Sequence, residues 1–260
     1  YIFYFLMFFF LKYIKEKSPK LNYLWFVLGS IYRFFIIKFN INFFVNQKIS
    51  KYGPFKVHSF FAFSNFENWG SEEGSIFPLM MKMCKKKKCI IDIGAHIGLT
   101  TLPLSSVVSK TSIIFSFEPS EVNNKYLLLH LEKNNIKNVK VIGKLVGRKN
   151  SNNILFYELD NPTGMNSIIK TKLKSFIQKK QQISLDRFVK KNKLKPDLIK
   201  IDAEGSEIFI LEGAKNILKK YKPDIFLSVH KNHFKALNLT EKNLFKIIKK
   251  IGYKIKDCKG

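Results

Sequence analysis

The sequence predicts an α/β fold, doubly wound around a mostly parallel sheet, with an apolar helical segment ahead of it. Three observations carry this. Apolar runs at 89–93, 112–117, 138–143, 198–202 and 225–230 alternate with helical periodicity near 99–109, 121–134, 206–221 and 240–251. That alternation is the mark of parallel strands joined by helices on both faces. A glycine-bearing loop, within "CIIDIGAHIGLTT" at 89–101, follows the first run. The third observation is bulk: 260 residues, 46% of them hydrophobic, fill one large core or two small ones.

Taken in order, residues 1–50 form an apolar and basic N-terminal segment, and 51–260 form the main domain. The run "YIFYFLMFFFLKYI" is apolar for eleven residues before Lys12, too short for a bilayer crossing of ~20 residues. The stretch "LNYLWFVLGSIYRFFIIKF", 21–39, is longer but carries Arg33 and Lys38. Its aromatic and basic mix suits a helix lying on an anionic membrane surface. Two helices packed on the main domain explain it equally well, so both readings stay open for 1–45. The first residue is Tyr1, and the chain is expected to be processed or partial.

The stretch "NWGSEEGSIFPLM", 68–80, reads as a turn leading into a helix, and the lysines at 85–88 as a solvated loop. The helix after Gly98 contains Pro103. Near the end of a first turn this is tolerable, because N–H groups there lack intrahelical partners. Between the third and fourth strands lies an insertion, 150–184, with one short strand, "ILFYEL". No internal repeat is present.

In doubly wound sheets ligands bind beyond the carboxyl ends of the strands. Asp92 to Gly98 fall there. Glycine lets a backbone turn tightly and approach a ligand, and the following helix N-terminus carries partial positive charge. A dinucleotide site shows G-x-G-x-x-G, whereas this loop reads Gly94-Ala95-His96-Ile97-Gly98 after Asp92. An acid in that place repels a pyrophosphate and suits an ammonium. The second strand ends in "FSFEP", with Glu118 24 residues after Gly94, where an acid accepts both hydroxyls of a ribose. An ammonium and a ribose together describe S-adenosylmethionine. The alternative is that Asp92 and Glu118 are strand-end acids satisfied by loop N–H groups.

The fourth strand ends in "LIKIDAEGSEIFILEGA" and the fifth in "DIFLSVH". Asp202, Glu204 and His230 thus reach the same edge as Asp92 and Glu118. Glu207 reads as a helix cap, where an acid is favoured. His96 reads as a solvent-facing loop histidine, and His58, His130 and His233 as ordinary ones.

These blocks, "IIDIGAHIGLTT", "FSFEPS", "ISLDRF", "LIKIDAEGSEIFILEGA" and "PDIFLSVH" in that order, resemble the FkbM-type methyltransferases, which are Rossmann-like and S-adenosylmethionine-dependent. The resemblance covers roughly 69–255, and "IKIDAEGSE" is its most specific part. It implies that Asp92, Gly94, Ala95 and Gly98 line the cofactor and that Glu118 takes its ribose. Ser167, in "GMNSI", falls where the family often places a serine. The sequence departs from the pattern at Lys144 and Leu145, where relatives often have small residues, and at Ser228, where relatives carry an acid. It stops at "GYKIKDCKG", where this fold usually completes a last antiparallel hairpin. Absence of that pair leaves one sheet edge open.

Methyl transfer from a sulfonium is an in-line displacement that needs a held nucleophile and a group to take its proton. Asp202 and His230 are the candidates by position, with Glu204 beside them. The resemblance implies O-methylation of a sugar, a lipid-linked or another small-molecule acceptor. A metal on Asp202, Glu204 and His230 is weakly supported, and none is assigned. The net charge of +27 suggests an RNA methyltransferase instead, but enzymes that methylate exocyclic amines carry Asn/Asp-Pro-Pro-aromatic where this chain has "DAEG". Arg stands only at 33, 148 and 187, whereas nucleic-acid readers mix Arg with Lys. Nucleic acid is therefore disfavoured. A membrane-attached binding protein on an inactive fold is the remaining rival, and the complete acid-and-glycine set argues against it. Cys84, Cys89 and Cys258 lack metal-ligand spacing and fit either free thiols in a reducing compartment or burial; the expected setting is cytoplasmic.

Overall fold

The structure, a computed structural model, describes residues 10, 14, 22–72, 75–170 and 175–256. The chain divides into two compact units, Tyr1–Trp69 and Gly70–Gly260.

In the first unit, helix α1 (Asn22–Lys38) precedes an antiparallel hairpin of β1 (Phe44–Ile49) and β2 (Tyr52–His58). Tyr32 anchors the helix: its buried hydroxyl donates to the Ser59 carbonyl at 3.2 Å and its ring meets Phe63 edge-on at 4.9 Å. The expected boundary at residue 50 falls in the turn of this hairpin. The expected helix at 21–39 is α1. The apolar run 1–14 lies outside the described residues except at Phe10 and Ile14. No helix among the described residues is long and apolar enough to cross a membrane.

The second unit runs α2 (Phe77–Cys84), β3 (Cys89–Ile93), α3 (Thr101–Val107), β4 (Ile113–Phe117), α4 (Glu121–Lys133), β5 (Val139–Ile142), β6 (Leu145–Val146), β7 (Ser151–Glu158), β8 (Phe176–Ile183), α5 (Leu185–Lys191), β9 (Leu198–Ile201), α6 (Glu207–Glu212), α7 (Lys215–Tyr221), β10 (Asp224–Leu227), α8 (Lys231–Ala236) and α9 (Glu241–Ile251). The main sheet is parallel throughout, in the order β10-β9-β3-β4-β5. β3 is central, and all five of its residues are buried, as a strand covered on both faces requires. Helices earn their place by periodicity: α9 buries Leu244, Ile247, Ile248 and Ile251 along one stripe. Ser120 caps α4 by accepting the Asn123 N–H. Pro103 is the third residue of α3, inside the turn whose N–H groups have no helical partner.

Three features differ from the expectations. The helical stretch 206–221 is two helices, α6 and α7, broken at Gly213, where an added Cβ would stand 2.0 Å from the Gly147 carbonyl oxygen. The last strand ends at Leu227, so that His230 becomes the N-cap residue of a short helix, α8, that the pattern did not suggest. The insertion is a full antiparallel hairpin, β7–β8, and β6 adds to it in parallel to make a second sheet. Among the described residues no strand pairs outside β10.

Candidate active site

Parallel strands bring the carboxyl ends of β3, β4, β9 and β10 to one edge, where open α/β sheets bind ligands. Asp92, next to last in β3, is fully buried. The Thr101 hydroxyl donates to its Oδ2 at 2.7 Å, and the Lys200 ammonium lies 3.2 Å from its Oδ1. Lys200 faces Asp92 across the β3–β9 register. It also donates to the Gly94 carbonyl at 2.8 Å and stands 3.6 Å from Asp202 Oδ2. Burial works against the Lys200 charge, but Asp92 and Asp202 outweigh it and the pKa is raised. The ammonium beside Asp92 therefore belongs to the chain itself. Asp92 is fully buried and meets the rest of the site through Lys200 and Thr101.

The loop after β3 is fastened on both sides. The Gly94 and Ala95 N–H groups both donate to the Phe117 carbonyl at 3.0 Å. Gly94 has φ +77°, and an added Cβ would stand 1.8 Å from the Asp202 carbonyl oxygen; only glycine fits such an approach. Ala95 and Gly98 are buried in the same loop. His96, at φ +52°, donates its backbone N–H to Glu118 Oε2 at 2.7 Å. Its side chain is half-buried, where a solvent-facing ring was expected: burial, then the nearby Lys200 charge, lowers its pKa to about 4. The His96 Nε2 is buried with no partner among the described residues.

Glu118, just past β4, is buried. Besides the His96 N–H it accepts the Ser120 N–H at 2.9 Å and the Asn123 side-chain amide at 3.4 Å. Burial raises its pKa to about 7, against the pull of these bonds. A carboxylate offers about four lone-pair sites, so acceptor capacity remains for a hydroxyl donor. Together with the orphaned His96 nitrogen and the close glycine turn, this mouth fits an adenosyl group.

The second half of the edge is carboxylate-rich. Asp202 follows β9. Glu204 adopts a left-handed backbone at φ +45°, unusual for a residue with a side chain. Its carbonyl is held there by the Ser167 hydroxyl and by His233 Nδ1, each at 2.9 Å. Glu207, at the start of α6, is fully buried; its Oε1 accepts the Gly205 N–H at 3.0 Å and lies 2.6 Å from His230 Nδ1. The other imidazole nitrogen, Nε2, faces Asp202 Oδ1 at 3.6 Å and Glu204 Oε1 at 3.4 Å. The His233 ring stacks on that of His230, with centroids 6.0 Å apart. The Glu207 bond raises the His230 pKa against burial, with help from the Glu204, Glu207 and Asp202 charges. Burial raises that of Glu204.

The structure thus gathers Asp202, Glu204 and His230 at one point and Gly94, Ala95, Gly98 and Glu118 at the neighbouring strand mouth, with Lys200 joining the two. The residues that sequence reasoning passed over are Lys200, Glu207 and His233. Spacing places two of them near named residues, Lys200 two before Asp202 at the end of β9 and His233 three after His230, but it does not say which groups they bond. Among the described residues no group of three or more His, Cys, Asp or Glu is arranged to hold a metal ion.

A parallel five-stranded sheet with its acids and glycine turn at the strand ends is the architecture of the Rossmann-like methyltransferases. The methyltransferase FkbM domain model matches residues 92–255, and the chain belongs to that family. None of the curated proteins matches the chain. Among solved structures, methyltransferase FkbM from Methylobacillus flagellatus KT is 21% identical, with a TM-score of 0.42 over 64% of this chain and 37% of its own. Precorrin-6y C5,15-methyltransferase from Geobacter metallireducens GS-15 is 12% identical, with a TM-score of 0.42 over 70% and 72% of the two chains. A SAM dependent methyltransferase from Aquifex aeolicus is 12% identical, with a TM-score of 0.37 over 69% and 80%.

Proposed function

We propose that the chain is an S-adenosylmethionine-dependent O-methyltransferase acting on a hydroxyl of a sugar, a lipid-linked or another small-molecule acceptor. One observation carries this reading above the others. Glu118, with acceptor capacity left, and the trio Asp202, Glu204 and His230 flank the same glycine turn, which is locked to the end of β9 through the Gly94–Asp202 contact. Family membership supports the reaction class. Bound here, the cofactor supplies an electrophilic methyl group on a sulfonium.

Glu118 is the group for the ribose hydroxyls, and Gly94, Ala95 and Gly98 shape the turn against the cofactor. Asp92 acts at one remove, by neutralising and placing Lys200. Asp202, Glu204 and His230 orient the acceptor hydroxyl in line with the methyl and take its proton, work that contributes roughly 10²–10⁴-fold to rate. A reducing, cytoplasmic setting is supported by the unpaired, buried Cys84 and Cys89.

Calorimetry with S-adenosylhomocysteine tests the reading. The expected result is micromolar binding, weakened roughly 10- to 100-fold by Glu118→Ala, as for the loss of hydrogen bonds to a charged group. Binding of a nicotinamide dinucleotide instead would overturn it.

A further inference from the structure

We infer that Glu207 is a positioning residue that makes His230 the general base, holding the imidazole proton on Nδ1 and presenting Nε2 to the acceptor hydroxyl. The inference rests on the methyltransferase reading and deepens it, since position alone leaves Asp202 and His230 as equal candidates.

The geometry is directional. Glu207 Oε1 already accepts the Gly205 N–H at 3.0 Å, which marks it as an acceptor. The 2.6 Å contact to His230 Nδ1 is then an N–H donated by the ring. A neutral imidazole with its proton on Nδ1 has its lone pair on Nε2. That nitrogen points at Asp202 and Glu204, 3.6 and 3.4 Å away. Both separations exceed a good hydrogen bond, and Asp202 and Glu204 are only partly buried, so Nε2 is not committed to either acid.

Glu207 itself has no exposed surface and cannot meet a substrate. Its partners among the described residues all sit on Oε1, and Oε2 has none. A helix cap alone needs only the Gly205 contact; the His230 contact is additional. The groups facing His230 are Glu207 from α6, Asp202 from the end of β9, Glu204 from the loop between them, and His233 from α8. Three are acids, and the pKa of His230 is raised accordingly. The neutral, proton-accepting ring is therefore populated as pH rises.

The step balances. As the acceptor oxygen bonds the methyl carbon, its O–H bond breaks and the proton passes to Nε2. The methyl–sulfur bond breaks with its electron pair left on sulfur, so the positive charge that arrived on the sulfonium ends on the imidazolium, beside Glu207.

Nuclear magnetic resonance of the full chain carrying ¹⁵N-labelled histidine tests this without an acceptor, with His230→Gln used to assign the signal. Above its titration midpoint, His230 should show a protonated Nδ1 and an unprotonated Nε2. Glu207→Gln should lower that midpoint by about 1–3 pH units, the effect of an opposite charge at this range, while S-adenosylhomocysteine affinity stays within about twofold of the unmodified protein. An unmoved midpoint in folded Glu207→Gln, or a proton on Nε2 in the unmodified protein, would overturn the inference. If Glu207→Gln does not fold, the tautomer of the unmodified protein decides alone. A protein that binds no S-adenosylhomocysteine overturns the methyltransferase reading, and the base role with it, whatever the tautomer.

Discussion

Lys200 is where the chemistry of single residues is densest. A buried ammonium is tolerable only when paired, and here two carboxylates and a carbonyl surround it. Lys200→Met leaves Asp92 buried without its counter-charge, and breaking such a pair costs about 3–5 kcal/mol. Urea denaturation measures this, and an unchanged midpoint would show that Asp92 needs no partner. Glu118 gives a pH prediction with a definite sign. Its pKa in the folded chain, about 7, lies above its ordinary 4.5. The folded state thus holds the proton more tightly, and the stability this contributes is lost as pH rises from about 4.5 through 7. Hydroxyls that donate to Glu118 favour its ionised form. Affinity for S-adenosylhomocysteine should therefore rise with pH, being roughly tenfold weaker at pH 6 than at pH 8, and Glu118→Gln should flatten the dependence. Asp202, Glu204 and His230 were legible in the sequence because they stand at the ends of recognisable apolar runs. Lys200, Glu207 and His233 were not, because their roles come from strand register and from the fold of the Glu204–Gly205 turn. Neither is written in local pattern.

At the scale of elements, β3 was legible to the residue, and the starts of the other four strands of the main sheet to within one, because buried parallel strands are short apolar runs bounded by polar residues. The split of 206–221 into α6 and α7 was not legible, since Ile208, Leu211, Ala214, Ile217 and Leu218 keep helical spacing across the break and are all buried. The cause is tertiary: Gly213 lies against the Gly147 backbone. Gly213→Ala forces the two apart, and overpacking of this kind costs about 1–3 kcal/mol. Thermal melting checks it, and a rise in melting temperature would contradict the contact. The hairpin β7–β8 was half seen. "ILFYEL" reads as a strand, while "FIQKKQQI" carries too much polar and charged residue to do so, being mostly exposed or half-buried along its length.

For the whole molecule, the net charge of +27, from 46 Lys and Arg against 19 Asp and Glu, speaks to surface association more than to fold. Helix α1 leaves Ile31, Phe34 and Ile37 exposed beside Arg33 and Lys38, a pattern that suits an anionic lipid surface. Flotation with anionic vesicles should fall for Phe34→Glu/Ile37→Glu. Equal flotation of both proteins would remove the membrane from the picture and leave α1 a packing helix. The parallel sheet matters more, because it alone brings the Gly94 turn, Glu118 and the His230 cluster from distant parts of the sequence to one edge. A crystal structure with S-adenosylhomocysteine bound tests that convergence most directly. The expected density places the ribose hydroxyls on Glu118 and the sulfur facing Asp202, Glu204 and His230; density for the ligand anywhere else on the chain would contradict it.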